Sequence, residues 1–243
     1  MSRKKIMFLF ALLAAAMTVG GAGASNTQSV AAVTAPVFDP ANFVTVVDNP
    51  YFPLPVGRTL VYEGTKNGQT QIDTVTVTNQ TKIILGIAAT VVSDVATATQ
   101  DGTVLERTSD WYAQDKQGNV WYLGEDTVAF LANGKTDTSG SWESGVRGAI
   151  PGIVMEANPQ IPDAYRQEYL AGQAEDTAWV VQVGGTITVP YGKLRNTLVT
   201  LEATRLEPGA YDQKVYAPGI GIVSEQALTG EPEVARLVSV SGP

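Results

Sequence analysis

The sequence predicts an all-β protein: a single antiparallel curled sheet, either a half-barrel or a barrel, with one long loop and room for a short helix. Three observations lead there. Segments rich in Val, Ile, Thr, Tyr and Trp recur from Thr59 to Val240, separated by turns of the Lys-Asn-Gly, Gln-Asp-Gly and Asn-Gly kind. Nearly all connections are short, which makes chain neighbours antiparallel partners. About a dozen strands in one domain exceed what an open twisted sheet usually accommodates, so the sheet should curl or close.

Residues 1–24 read as a secretory leader. Arg3, Lys4 and Lys5 form a basic start, Ile6 to Val19 is an apolar run too short to span a bilayer comfortably, and Ala22-Gly23-Ala24 fits a signal peptidase site. With no Cys at the cleavage point, a lipid anchor there is excluded, and export to the periplasm or the medium is expected. No later apolar stretch is long enough to span a membrane. Residues 25–42 are polar, without periodicity, and read as a disordered linker. The antiparallel β domain is then 43–243.

Asn49 to Gly57 carries three prolines in nine residues. Each fixes φ near −65°, so the segment is extended and is neither a helix nor a central strand. Tyr51, Phe52 and Leu54 should latch it to the core. Strands follow at Thr59 to Gly64, Thr70 to Asn79, Lys82 to Thr99, Thr103 to Gln114 and Val120 to Leu131, with Gly86 splitting the third or marking a bulge. Lys135 to Glu143 is the next candidate. Gly145 to Pro162, with three prolines and little alternation, reads as the long loop. Over Asp163 to Ala171 a short helix competes with a strand from Tyr165 to Leu170. The remaining strands are Ala178 to Val183, Thr186 to Val189, Leu198 to Arg205, Gln213 to Ala217, Gly221 to Ala227 and Val234 to Val240. Pro218-Gly219 suits a type II turn.

Composition excludes several chemistries. Once the three basic leader residues are gone, 13 Lys and Arg face 24 Asp and Glu, a net charge of −11. Such a surface repels nucleic acid. The chain has no Cys and no His, which removes disulfides, the usual zinc and copper sites, and nucleophile systems built on thiolate or imidazole. No cofactor is expected. Catalysis would rest on carboxylates, Tyr, Lys or Arg, and a metal would be a hard cation on oxygen ligands.

The densest chemistry lies between Asp110 and Asp126, around a turn at Asp115 to Asn119 with Gly118 in the left-handed position. If Asp115 faces Asn119, then Tyr112 meets Tyr122 and Trp111 meets Leu123. The odd-numbered face, with Leu105, Arg107, Trp111, Ala113, Trp121, Leu123 and Glu125, is the more apolar and is assigned to the interior. That assignment makes Arg107 and Glu125 diagonal neighbours within reach of a salt bridge. They are then either a structural ion pair or the polar end of a ligand pocket walled by Trp111, Trp121 and Trp142. Arg166 is the alternative anion-binding group. On the even face, Glu106, Asp110 and Asp126 form either a solvated acidic surface, a Ca²⁺ site or an acid and base couple.

Three blocks carry a resemblance: Asn49-Pro-Tyr-Phe-Pro-Leu54 with Gly57 and Tyr62-Glu63-Gly64, the Asp110 to Asp126 hairpin, and Tyr216-Ala-Pro-Gly-Ile-Gly221. Together, from about Phe43 to Glu225, they resemble a family of exported bacterial proteins to which no established activity attaches. The last block is also similar, over a few residues, to the closing hairpin of periplasmic lipoprotein-carrier-like half-barrels. The resemblance transfers no catalytic residue. Three functions follow as expectations. The first is a secreted binding or carrier module for a small apolar or aromatic-compatible ligand. The second is a glycan hydrolase using two of Asp110, Glu125, Asp126, Glu143 and Glu168. The third is an envelope structural protein without a ligand.

Overall fold

Two left-handed turns set the pairing of the first strands. Asn67-Gly68 and Leu85-Gly86 all have positive φ, between 50° and 82°, the conformation that joins tightly paired antiparallel strands. Gly86 is therefore a hairpin turn. The computed structural model describes residues 38–243 and contains sixteen strands in one sheet. They are β1 (Phe43–Val44), β2 (Thr59–Lys66), β3 (Gln69–Ile84), β4 (Ile87–Ala98), β5 (Val104–Asp115), β6 (Val120–Phe130), β7 (Thr136–Asp137) and β8 (Trp142–Glu143). The second half comprises β9 (Ile150–Met155), β10 (Ala164–Arg166), β11 (Glu168–Tyr169), β12 (Asp176–Val189), β13 (Gly192–Thr204), β14 (Tyr211–Ala217), β15 (Gly221–Thr229) and β16 (Glu233–Ser241).

The spatial order is β10-β12-β13-β14-β15-β16-β2-β3-β4-β5-β6-β9-β11. Its two ends belong to one piece of chain, because β10 and β11 are separated only by Gln167. β10 pairs with β12 and β11 with β9, and the Gln167 N–H donates to the Asp176 carbonyl. Segment 164–169 is thus a seam that brings the sheet nearly to closure as a barrel, which leaves few unpaired edges.

Three local expectations change. Asp163 to Ala171 is extended, not helical, because both edges of the sheet need this segment as a partner. The expected loop Gly145 to Pro162 contains β9, which pairs with both β6 and β11. Ile150-Pro-Gly-Ile-Val-Met155 reads as a breaker, yet Gly152 is what lets the seam cross: a Cβ there would lie 2.3 Å from the Gln167 carbonyl carbon. Lys135 to Glu143 is two short ladders on β6 rather than one strand.

The β5–β6 register decides the interior. Gln114↔Val120, Ala113↔Trp121 and Tyr112↔Tyr122 pair as expected, but beyond them Trp111 faces Gly124, Asp110 faces Glu125 and Ser109 faces Asp126. Leu123 is the extra residue of a β-bulge. Gly124 follows it at φ 131°, and a Cβ there would lie 2.3 Å from the Trp142 carbonyl oxygen, so this approach of β8 requires glycine. The bulge turns Glu125 to the same side as Asp110, Tyr112 and Tyr122.

That side is the inside. The interior core includes Tyr62, Val75, Val92, Tyr112, Tyr122, Trp142, Leu198, Tyr216 and Leu237, contributed from around the whole sheet. A second, smaller core lies on the outer face of β4–β6, where Ile84, Ile87, Val91, Trp111 and Leu123 are packed together with Phe38 and Phe43. Phe38 and Phe43 meet Trp121 with centroids 5.7 and 6.1 Å away. Of the linker expected over 25–42, residues 25–37 and the whole leader lie outside the described residues. Residues 38–42 are ordered against the barrel through this aromatic contact and a 3-10 turn at Pro40–Asn42 capped by Asp39.

Candidate functional site

Alternation along the strands fills the barrel with tyrosines and acids. Asp73 on β3 faces Tyr62 on β2, and Asp110 on β5 faces Glu125 on β6. Asp94, Glu106, Glu168 and Glu202 are buried with them, as are Lys66 and Lys214. Burying a carboxylate in low dielectric disfavours its charge and raises its affinity for a proton. Burial pushes Glu106 up to about 8. It pushes Asp110 up to about 7, against the opposing hydrogen bond that the Tyr122 hydroxyl donates at 2.7 Å. Glu125 is held well above the usual carboxylate range by burial and then by the charge of Asp110. Glu168 is held there by burial and then by Asp176. Asp94 is raised by burial and by its neighbour Asp73, close enough to share a proton.

The cations are committed. Lys214 Nζ lies 2.7 Å from Glu202 and 4.0 Å from Glu225. Burial works to lower its pKa, but these two carboxylates outweigh that and hold it well above the usual value for lysine. Lys66 Nζ lies 2.9 Å from Glu233.

Two adjoining chambers open inside the barrel. One, a cavity of about 20 Å³, is polar: Tyr112, Tyr122, Tyr216, Gln167, Glu168, Asp176 and Lys214 line it, with Phe52, Val154 and Ile222. The other, about 30 Å³, is apolar, with Leu54, Leu60, Val75, Val77, Val92 and Ile220 among its walls and Arg58 at its margin. Phe52, Tyr112 and Ile222 belong to both. Phe52, edge-on to Tyr112 at 5.1 Å, is the partition between them.

The proline-rich segment delivers that partition. The Gln114 side-chain oxygen accepts from the Asp48 and Asn49 N–H groups, and Asn49 Nδ2 donates to the carbonyls of Gly118 and Glu156. On the other side the Gly219 N–H donates to the Pro50 carbonyl, and Arg58 Nη1 donates to the Gly219 carbonyl. The three sequence blocks quoted for the family resemblance therefore meet at one end of the barrel, where they plug it with Phe52. Phe52 latches as expected, while Tyr51 and Leu54 are partly buried against the same core.

The residues singled out from sequence divide between the two faces. Glu125 and Trp142 are inside, with Trp142 edge-on to Tyr122 at 5.3 Å. Trp111 and Trp121 are buried on the outside: Lys82 Nζ sits 3.4 Å from the centre of the Trp111 ring, and Trp121 Nε1 donates to Asp115 at 2.9 Å. Arg107 is exposed on the outer face, 5.9 Å from the Phe130 ring. The expected Arg107–Glu125 pair is therefore not formed, since the two side chains lie on opposite faces. Arg166 is half-buried and stacks over Tyr169 at 4.6 Å. Asp126 is exposed, and Glu143 pairs with Lys82 at 2.8 Å. Missed from sequence were the chamber residues Tyr112, Tyr122, Gln167, Asp176, Lys214 and Tyr216. Gly124 inside a strand is a mark of a bulge and was an available signal for the side that Glu125 takes, but not for these residues.

Among the described residues no three acidic groups are placed to hold a metal ion, and no helix is long and apolar enough to cross a membrane. No family model matches this chain, and no curated protein matches it. Two crystal structures are similar in fold. A Bacteroides fragilis protein, described as exported and as having a YmcC-like fold, is 16% identical with a TM-score of 0.45, over 79% of this chain and 99% of that one. A Parabacteroides distasonis protein described as a lipoprotein is 12% identical with a TM-score of 0.43, over the same shares of the two chains. No residue role passes to this chain from proteins so distant.

Proposed function

We propose that this is an exported binding or carrier module for a small amphipathic ligand, whose apolar body enters the narrow apolar chamber by displacing Phe52 and whose polar end reaches the tyrosines and acids beyond it. The leader at Arg3 to Ala24 supplies the export part of the reading. The observation that carries the rest is the pair of chambers sharing Phe52, Tyr112 and Ile222. Apolar walls with a few converging polar groups are the usual composition of a small-molecule site. Catalytic machinery is less well supported. Asp110 and Glu125 face each other with unequal proton affinities, as a hydrolase couple would, but the chamber walls carry Glu168 and Asp176 instead.

The test uses the chain from Ser25 to Pro243 and the apolar fluorophore N-phenyl-1-naphthylamine. Saturable binding is expected, and Leu60→Trp, which fills the apolar chamber, should weaken it at least tenfold while leaving the fold intact by circular dichroism. Non-saturable binding, or equal binding by the filled variant, would remove the proposal. Turnover of chromogenic glycosides that is lost in both Asp110→Asn and Glu125→Gln would favour the hydrolase instead.

A further inference from the structure

We propose that the seam at 164–169 is a pH-operated gate: the barrel is closed while Glu168 is protonated, and the segment peels from β12 when that carboxyl ionises. This goes beyond the ligand reading and holds with or without a ligand. The first observation is the weakness of the seam. β10 pairs with β12 through three residues and β11 with β9 through two, against eight between β2 and β3. Two further bonds tie this stretch to β12, from the Gln167 N–H to the Asp176 carbonyl at 2.8 Å and from the Val180 N–H to the Asp163 carbonyl at 2.9 Å.

The second observation is what Glu168 meets there. It is 2% exposed, and neither of its oxygens accepts a hydrogen bond of ordinary geometry. The void that it lines is about 20 Å³, room for about one water. A protonated carboxyl fits such a place, whereas a carboxylate needs donors or a hydration shell and finds neither. Acidic neighbours add to the cost: Asp176 on β12 and Asp110 on β5 act on Glu168, and Glu168 acts on Glu125 of β6. The buried hydroxyls around it, Tyr112, Tyr122, Tyr216 and Tyr165, are pushed above the usual tyrosine range and stay neutral.

No cation is free to compensate. Lys214 on β14 favours the charged form of Glu168, but Glu202 on β13 and Glu225 on β15 already hold it. Arg166 on β10 is stacked on Tyr169, and β9 brings no ionisable side chain. The Trp142 indole on β8 also favours the carboxylate, yet makes no ordinary bond. The β15–β16 ladder is as short, with three pairs, but its acids Glu225 and Glu233 have Lys214 and Lys66 beside them at 4.0 and 2.9 Å. At the seam Glu168 has no lysine of its own.

Peeling would place Glu168 in water, where a glutamate releases its proton near about 4. In the closed barrel burial, and then Asp176, hold it well above that range. Low pH therefore favours closure, and rising pH favours opening by about tenfold per unit for one proton released, until the closed form ionises as well. An open seam joins the polar void to solvent by a route that bypasses Phe52.

Hydrogen exchange tests the gate, read amide by amide by NMR on the chain from Ser25 to Pro243 between about pH 6 and about pH 8, above the ordinary carboxyl range and below that of tyrosine. After correction for intrinsic rates, the Gln167 and Val180 amides should be at least about tenfold less protected than those of the β4–β5 ladder, and should lose about tenfold of protection per pH unit. Glu168→Gln should flatten that fall. Seam amides as protected as the β4–β5 ladder, seam protection independent of pH, or an unchanged slope in Glu168→Gln would each overturn the gate. The wild-type comparison is decisive even if the variant does not fold.

Discussion

Gly124→Ala should cost more than any exposed glycine replacement in this protein, and the structure says by roughly how much. Gly124 has φ 131°, a region L-residues rarely enter, and forcing one there costs about 1–3 kcal/mol. The added Cβ would also lie 2.3 Å from the Trp142 carbonyl oxygen and 2.9 Å from Glu143 Cα. Both are backbone atoms and cannot rotate away. β8 must therefore shift, loosening Trp142, whose complete loss would cost about 3–5 kcal/mol and whose partial loss is worth about a third to a half of that. The total expected is about 2–5 kcal/mol. Gly134→Ala is the control, with φ 75° and nothing within 4 Å of the new Cβ; about 1–2 kcal/mol is expected there. Urea unfolding of both variants gives the difference directly, and near-ultraviolet circular dichroism reports the Trp142 environment. If Gly124→Ala cost no more than Gly134→Ala, the close approach of β8 would not constrain the bulge, and the argument for which way Glu125 faces would fail.

Lys214→Met should destabilise by about 3–5 kcal/mol, because it strands Glu202 and Glu225 without a cation. Adding Glu202→Gln should recover a large part of the loss, and a single variant within 1 kcal/mol of wild type would contradict the pairing. Stability should fall as pH rises from about 4 to about 8: an unfolded glutamate releases its proton near 4, whereas folded Glu106 keeps it to about 8. Between those values deprotonation favours the unfolded chain; above them both states have lost the proton and the fall levels off. Glu106→Gln should therefore raise the melting temperature at pH 8 and leave it nearly unchanged at pH 4, and a variant whose pH profile matches wild type would refute this. Trp121→Ala should cost about 3–5 kcal/mol yet leave fluorophore affinity unaltered, since its ring packs on Phe38 and Phe43 outside the barrel; a tenfold loss of affinity in a folded variant would place it at the ligand instead.

Much of the architecture could be read in the chain. β-branched runs between Gly turns marked most strands, and the Asp115 to Asn119 turn predicted the pairing of Tyr112 with Tyr122 correctly. Pairing fails one residue later, because a bulge is an insertion whose position depends on what packs over it, here the β8 backbone on Gly124. The bulge explains only part of the site: skipping Leu123 turns Glu125 to the side of Asp110. Independently of it, Trp111, Ala113 and Trp121 form an outer wall and the even face, with Tyr112, Tyr122 and Asp110, looks inward. Hydrophobicity misleads at this point, since both faces are covered: one by the rest of the barrel and the other by Phe38 and Phe43.

Local chemistry alone settled that this protein is an antiparallel β structure with a proline-rich latch and no thiol or imidazole chemistry, because turn residues, β-branching and residue absence act over a few positions. Closure through segment 164–169, the face each tryptophan takes, and the gathering of acids and tyrosines around two chambers came only with tertiary structure. These depend on contacts between strands far apart in the chain. Period-two alternation shows which residues share a face within an unbroken strand; only packing decides which face is inside and where the alternation slips.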